Sequence, residues 1–434
     1  MVRADLAQKG VRNLEAVEIG LREAITKDAR RILEGLYQDP GLTMPNHAGR
    51  PGEKCHPGRE KDVETLFGPI TLRRNYFYCE STDEGRAPLD DALGLVNGYS
   101  PSVVRLSNRA AARTGFAGAS ADLAAMANVQ LDGKQIQRLV NLAAPLVAAQ
   151  RDHVRLARDL SADPIPVCYV EVDGTGVPMD RVELVGREGK QPDGSAKTRE
   201  AKLGCVFTQT QCDKEGNPVR DYESTTYVGS FQTSAEFGGV IRAEAFRRGL
   251  GRAVRVVFIG DGAAWIWELA RVNFPDALQI LDLFHALERL HTLCDGLYGV
   301  GSAWAKRMED QWEQSFKQDK VLEVIAAARA RLTDLGEQPV GPDSLDKQIA
   351  YFEHHHHRML YLSYHKQGLF YGSGVIEAGC KAVIGQRLKQ SGMFWSEAGA
   401  QSVLDLRCTL MSHHWDPCWD RVFQSGYLRG KSAA

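Results

Sequence analysis

Two apolar runs that end alike constrain the fold of this chain more than any other feature. VCYVEVDGTGV, residues 167–177, is mostly β-branched and apolar up to Asp173, then turns to Gly-Thr-Gly. RVVFIGDGAAWIW, residues 255–267, repeats the theme with Asp261 before Gly262. Each reads as a buried strand that delivers an acid at its C-terminal end. Between them LGCVFTQT and YESTTYVGSF read as two further strands with turn-rich connections, and residues 234–248 as a helix. ALQILDLFHALERL, residues 277–290, is one more strand running into a helix. Three antiparallel strands followed by β-α-β units predict an α/β, RNase H-like core, with Asp173 closing its first strand and Asp261 closing the strand beside it.

The flanking regions are of other kinds. Residues 1–48 are expected to be mostly helical, with Leu6, Val11, Leu14, Val17, Ile19, Leu21 and Ile25 among charges. Residues 49–100 hold a Gly/Pro-rich loop and then VETLF and ITLRRNYFY, joined at Gly68-Pro69, a hairpin signal. Its packing is expected from Leu66, Phe67, Tyr76 and Tyr78. In residues 101–160, FAGASADLAAMANVQLDGKQIQRLVNLAA reads as helix, turn, helix. Phe116, Leu123, Met126, Ile136, Leu139 and Val140 would face inward. Asp132 and Gln135 have the spacing of a capping box, and Lys134, Gln137 and Arg138 would lie outward, where a recognition helix reads the major groove. A plain helical pair would show the same pattern. Residues 161–299 form the first part of the core, 300–365 a helical insertion, and 366–434 its C-terminal helices.

Two carboxylates meeting at one sheet edge repel each other unless a cation lies between them. Mg²⁺ or Mn²⁺ suits such hard oxygen donors, and two ions can activate an attacking hydroxyl and stabilise a leaving oxygen. A third acid is then needed. Glu377, in the first turns of a helix starting near Ser373 in GSGVIEAGCKAVIGQRLKQSGMFWS, is the candidate. Lys381, Arg387 and Lys389 extend a basic flank able to follow a DNA backbone. An acid before Gly is more often a turn residue than a ligand. The weight rests on three acids in the order one fold requires.

Composition neither supplies nor removes a nucleic-acid partner. The formal net charge is −2, but residues 101–150 carry Arg105, Arg109, Arg113, Lys134 and Arg138 against Asp122 and Asp132. Local charge, not the total, attracts DNA. No stretch reaches the roughly 18 apolar residues of a membrane span, and nine scattered cysteines form no CxxC pair, so a reducing, cytosolic setting is expected. The histidine run His354–His357 is expected to form a polar helix face without a catalytic role.

VDGTG, GDGAAWIW, LDLFH, GSGVIEAGCK and RLKQSGMFW resemble the insertion-sequence transposases of the ISKra type, which are related to the Mutator-like DDE transposases. The resemblance extends from LFGPITLRRNYFYC and PLDDALGL to the C-terminal helices. It implies DDE chemistry with Asp173, Asp261 and Glu377 as metal ligands, two divalent ions, double-stranded DNA as partner and a homo-oligomer acting on it. It also implies a role near the scissile phosphate for Asp282 and His285, which match the D-x-x-H pattern of Mutator-like enzymes. In one respect the chain departs from the family. Paired cysteines often surround the N-terminal hairpin, as in a zinc ribbon. Here Cys55 and Cys79, with His56, leave a tetrahedral set incomplete, so no zinc is expected. An RNase H-like nuclease or resolvase, and a non-catalytic DNA-binding descendant of a transposase, are the alternatives from other functional classes.

Overall fold

The computed structural model describes residues 14–39, 49–154, 162–189, 191, 194–336, 341 and 344–425. The expected apolar positions Leu6 and Val11 lie outside them. The chain divides into two compact units, residues 1–151 with 414–434, and residues 152–413.

In the first unit, helix α1 (Leu14–Leu36) precedes strands β1 (Glu53–Thr65), β2 (Gly68–Cys79) and β3 (Glu84–Arg86). β1 and β2 form an antiparallel hairpin whose register runs from Glu53 opposite Cys79 to Thr65 opposite Gly68. Gly68 turns the chain at φ +94°, a backbone conformation that costs glycine no Cβ clash. The packing residues differ from those expected. Leu66 and Phe67 occupy the exposed tip, and Tyr76 and Tyr78 are only partly covered. Strand alternation instead sends Val63, Ile70 and Leu72 inward, onto Leu95 and the Leu33 and Tyr37 side chains.

After a short helix α2 (Pro88–Ala92) come α3 (Pro101–Arg113), α4 (Phe116–Asp122) and α5 (Gly133–Arg151). The capping box is present: Gln135 N–H donates to Asp132 Oδ1 at 2.8 Å, and Asp132 N–H donates to Gln135 Oε1 at 2.8 Å. Ile136, Leu139, Val140 and Leu123 are buried, but Met126 is 69% exposed. The cause is a π-helical turn over Leu123–Ala127, which fits an extra residue into the turn and rotates Met126 off the inward stripe. The C-terminal helix Trp415–Ser425 belongs to this first unit, not to the core helices among which the sequence had set it. Arg105 pairs with its Asp416 and with Asp420 at 2.8 Å, and Arg109 lies over Trp415.

The second unit is built on a five-stranded mixed sheet of β4 (Ile165–Pro178), β5 (Thr198–Gln209), β6 (Thr226–Ser230), β7 (Ala253–Gly260) and β8 (Leu278–Leu281). The spatial order is β8-β7-β4-β5-β6. β4, β5 and β6 form an antiparallel meander, whereas β7 is parallel to β4 and β8 parallel to β7. Helix α6 (Ser234–Arg247) carries the chain from β6 to β7, and α7 (Ala264–Asn273) from β7 to β8. β4 is not closed by Asp173, as the sequence had suggested. It runs on to Pro178, paired with β5, because only its pairing with β7 ends at Glu171 opposite Ile259.

Helix α8 (Leu283–Tyr298) follows β8, then α9 (Ala303–Phe316), α10 (Val321–Leu335), α11 (Leu345–His355) and α12 (Tyr361–Lys366). The chain returns to the sheet with α13 (Gly374–Gly379), a π-helical stretch Cys380–Gly385, a last turn Gln386–Leu388, and α14 (Glu397–Met411). His354–His357 do not form one polar face. α11 ends at His355, and His356–Arg358 is a 3-10 turn. His355 is buried against Tyr351 and Trp267, where burial and the Arg358 charge push its pKa down to about 3. Among the described residues, no helix is long and apolar enough to cross a membrane.

Candidate active site

Strand register brings the acids together. Extending the parallel pairing of Glu171 with Ile259 by two residues sets Asp173 beside Asp261. Extending the pairing of Leu281 with Gly260 sets Asp282 beside Asp261 on the other flank, and Asp282 N–H donates to the Gly260 carbonyl at 2.9 Å. Three acids from three neighbouring strands therefore share one edge of the sheet. Burial, partly offset by the Cys380 thiol and the Gly174 N–H and reinforced by the Asp261 charge, holds the Asp173 carboxyl above its usual range. Asp261 Oδ1 accepts the Ala263 N–H at 2.9 Å, and Gly262 between them has φ +98°. A Cβ on Gly262 would lie 2.2 Å from the Tyr351 hydroxyl, which itself donates to the Asp261 carbonyl.

Glu377 arrives from the other direction, in the first turn of α13. Its carboxylate accepts from the Ser373 hydroxyl at 2.9 Å, and its N–H donates to the Ser373 carbonyl. Gly379 lets this helix lie close on the sheet, since a Cβ there would meet the Tyr227 ring at 2.6 Å. Ser373 N–H donates to Asp282 Oδ1 at 2.7 Å, which ties the start of α13 to the end of β8.

Asp282 is fully buried and caps α8. Its Oδ2 accepts both the His285 N–H at 2.9 Å and the His285 ring at Nδ1, 2.7 Å away. Burial pushes the Asp282 pKa up, but these donors outweigh it and leave the carboxyl below its ordinary value. The Asp282 hydrogen bond, opposed by burial and helped by the Asp282 and Asp261 charges, lifts His285 to about 9, so the ring is an imidazolium at neutral pH. One donor atom each from Asp282, His285 and Glu377 lie within 4.8 Å of one another. That spacing would admit a cation. Both Asp282 oxygens already accept N–H groups, Oδ1 from Ser373 and Oδ2 from His285. Asp173 and Asp261 are not part of the group that Asp282, His285 and Glu377 form.

Glu171 escaped the sequence reading. It interrupts an apolar run two residues before Asp173, and strand alternation puts both on one face. It is fully buried, its Oε2 accepts the Ile376 N–H of α13 at 2.8 Å, and burial pushes its pKa up to about 8. The signal was an acid where the pattern called for valine or isoleucine.

The basic residues divide. Lys389 is exposed and donates to Thr175 Oγ1 at 2.9 Å, two positions past Asp173, and Lys381 is exposed. Arg387 is not on a DNA-facing flank. It is fully buried with its guanidinium 5.1 Å over the Trp395 ring, and burial, with the Arg407 charge, lowers its pKa to about 10. The π-helical stretch before it shifts the helix phase, so the spacing from Glu377 no longer reports its face. Lys134, Gln137 and Arg138 sit in the first unit, all exposed along α5.

No family model matches the chain, and no curated protein does. Among solved structures, the Drosophila P element transposase strand transfer complex aligns at TM-score 0.27 and 10% identity, covering 76% of this chain and 80% of that one. At that level the similarity carries no argument, and the functional reading rests on the site.

Proposed function

We propose that this chain is a DNA transposase of the DDE type, with an RNase H-like core and Asp173, Asp261 and Glu377 as the ligands of two Mg²⁺ or Mn²⁺ ions. The observation that carries the reading is that parallel register sets Asp173, Asp261 and Asp282 at one sheet edge, with Glu377 of α13 beside Asp282. The strand order β8-β7-β4-β5-β6 supports the fold assignment. The donors fit the ions: carboxylate oxygens only, one of them held above its usual pKa range beside Asp261, as expected where a cation would relieve burial and repulsion. Bound there, the ions would activate the attacking hydroxyl and stabilise the leaving oxygen of a phosphodiester.

The chain's own groups have separate tasks. Ser373 and the buried Glu171–Ile376 bond hold Glu377 in place. Asp282 fixes the His285 ring through Nδ1 and keeps it protonated, leaving Nε2 to donate to a phosphate oxygen. Lys389 and Lys381 are positioned for the DNA backbone, and Lys134, Gln137 and Arg138 for reading or holding the element's ends. The partner is double-stranded DNA.

The test uses the DNA that flanks the reading frame. Duplexes of each flank, incubated with the chain and Mg²⁺ or Mn²⁺, should be cut at the element boundary, and the new 3′-OH ends should join a target plasmid. Cutting without joining would assign a nuclease. Neither activity, together with no Mn²⁺ binding by calorimetry, would assign a non-catalytic DNA-binding protein.

A further inference from the structure

Helix α1 has two unlike sides. One faces its own unit: Leu33 joins the hairpin core, Glu34 accepts the Thr71 N–H at 2.9 Å, and Arg22 donates to the Ala125 carbonyl at 3.3 Å. The other carries Leu14 at 69% exposure, Leu21 at 46%, Ile25 at 59%, Ile32 at 65% and Leu36 at 50%. Their spacings of seven, four, seven and four residues put all five within roughly 60° of helix circumference. This is a seam about six turns long, of the kind that helices bury against each other. Single exposed leucines need no explanation, but an aligned row of this length does.

We infer that this face of α1 pairs with the same face of a second copy of this chain, antiparallel and centred on Ile25. Centring there sets Leu14 against Leu36 of the partner subunit at both ends, and Ile25 against the partner's Ile25. A parallel pair would set Glu18, which lies within the same arc, and Asp28, which borders it, against their own copies, an arrangement that like charges disfavour. The antiparallel pair instead sets Glu18 level with the partner's Ile32 and Asp28 level with the partner's Arg22. The charge along the helix also favours the antiparallel sense. Residues 14–24 hold Glu15, Glu18 and Glu23 against Arg22, whereas residues 26–36 hold Lys27, Arg30 and Arg31 against Asp28 and Glu34. The acidic half of each copy thus lies along the basic half of the other, and the helix dipoles oppose. The area suffices as well: five side chains exposing roughly 100 Å² each, in two copies, bury on the order of 1,000 Å², the lower bound of a specific interface. Such a contact is isologous and closes at two. It does not rest on the catalytic reading.

Light scattering of the eluting full chain at micromolar concentration should give twice the chain mass. Ile25→Glu combined with Ile32→Glu should weaken the dimer on the order of 100-fold or more, with unchanged circular dichroism. A monomeric wild type, or a dimer that survives both substitutions, would overturn the inference. Cross-linking keeps the test open should the double variant misfold. Ile25→Cys should give a disulfide-linked dimer under mild oxidation. Leu14→Cys should cross-link when mixed with Leu36→Cys and not alone, against a wild-type control because Cys55 and Cys212 are exposed. Self-linking of Leu14→Cys, or no linking of Ile25→Cys, would refute the antiparallel seam.

Discussion

Asp282→Asn isolates the scaffold behind the acidic edge, because it removes one charge and leaves the side-chain outline unchanged. The carboxylate accepts three N–H groups, from Ser373, the His285 backbone and the His285 ring. Asparagine offers one oxygen and turns an NH₂ toward the remaining donors, which costs about 1–2 kcal/mol for the buried groups left facing it. Lifting His285 from 6.5 to about 9 corresponds to roughly 3 kcal/mol at about 1.4 kcal/mol per unit. The ring side chain is 36% exposed, so solvent screening reduces this to about 1.5 kcal/mol. The sum, about 3 kcal/mol, sits at the lower end of the range for breaking a buried pair. The two contributions separate by pH. A histidine whose folded pKa is raised contributes stability that is fully present below pH 6.5 and is lost as pH rises through about 9. Urea unfolding in EDTA should therefore give a wild-type minus variant difference of about 3 kcal/mol near pH 7, falling by about half at pH 10. A difference under 1 kcal/mol near pH 7, or one that does not change between pH 7 and 10, would refute the ion-pair account of Asp282.

Asp173→Asn, Asp261→Asn and Glu377→Gln should each abolish metal-dependent cleavage, and Asp173→Asn should raise the melting temperature in EDTA because it removes a half-buried charge beside Asp261. Retained cleavage in any of them would remove that residue from the ligand set. Lys134→Ala, Gln137→Ala and Arg138→Ala should weaken binding to the element's ends, with about 1–3 kcal/mol for any bidentate base contact, while leaving the melting temperature unchanged. End affinity unaltered by all three in a gel-shift titration would move recognition elsewhere. His355→Gln should flatten the loss of stability between pH 6.5 and 4, since a buried histidine with a folded pKa of about 3 stays neutral while the unfolded chain takes up a proton; an unchanged acid limb would show that another group sets it.

What the sequence disclosed and what it hid follow one physical rule. An acid at the end of an apolar run is legible because the run, the acid and the glycine are local signals, although β4 itself continues to Pro178, and parallel register then aligns the acids without further information. Hence Asp173, Asp261 and the β8 strand leading to Asp282 could be found from residues alone, as could the Asp132–Gln135 cap. Helix faces fail wherever the winding departs from 3.6 residues per turn. The π-helical turns at Leu123–Ala127 and Cys380–Gly385 insert extra residues, and each displaced an inference made downstream of its start: Met126 turned outward and Arg387 inward. Both π turns lie next to residues with proposed DNA or metal roles, and neither has a local sequence mark that periodicity detects. Glu171 shows the complementary limit. A buried acid violates the pattern by which strands are recognised, so the pattern discounts it, although its bond to the Ile376 N–H is what ties the Glu377 helix to the strand of Asp173. Departures from the period and from the polarity rule thus coincide with the parts of this molecule where chemistry is proposed. In chains of this architecture, an acid inside an apolar strand two residues before a terminal Asp is the signal to weigh first.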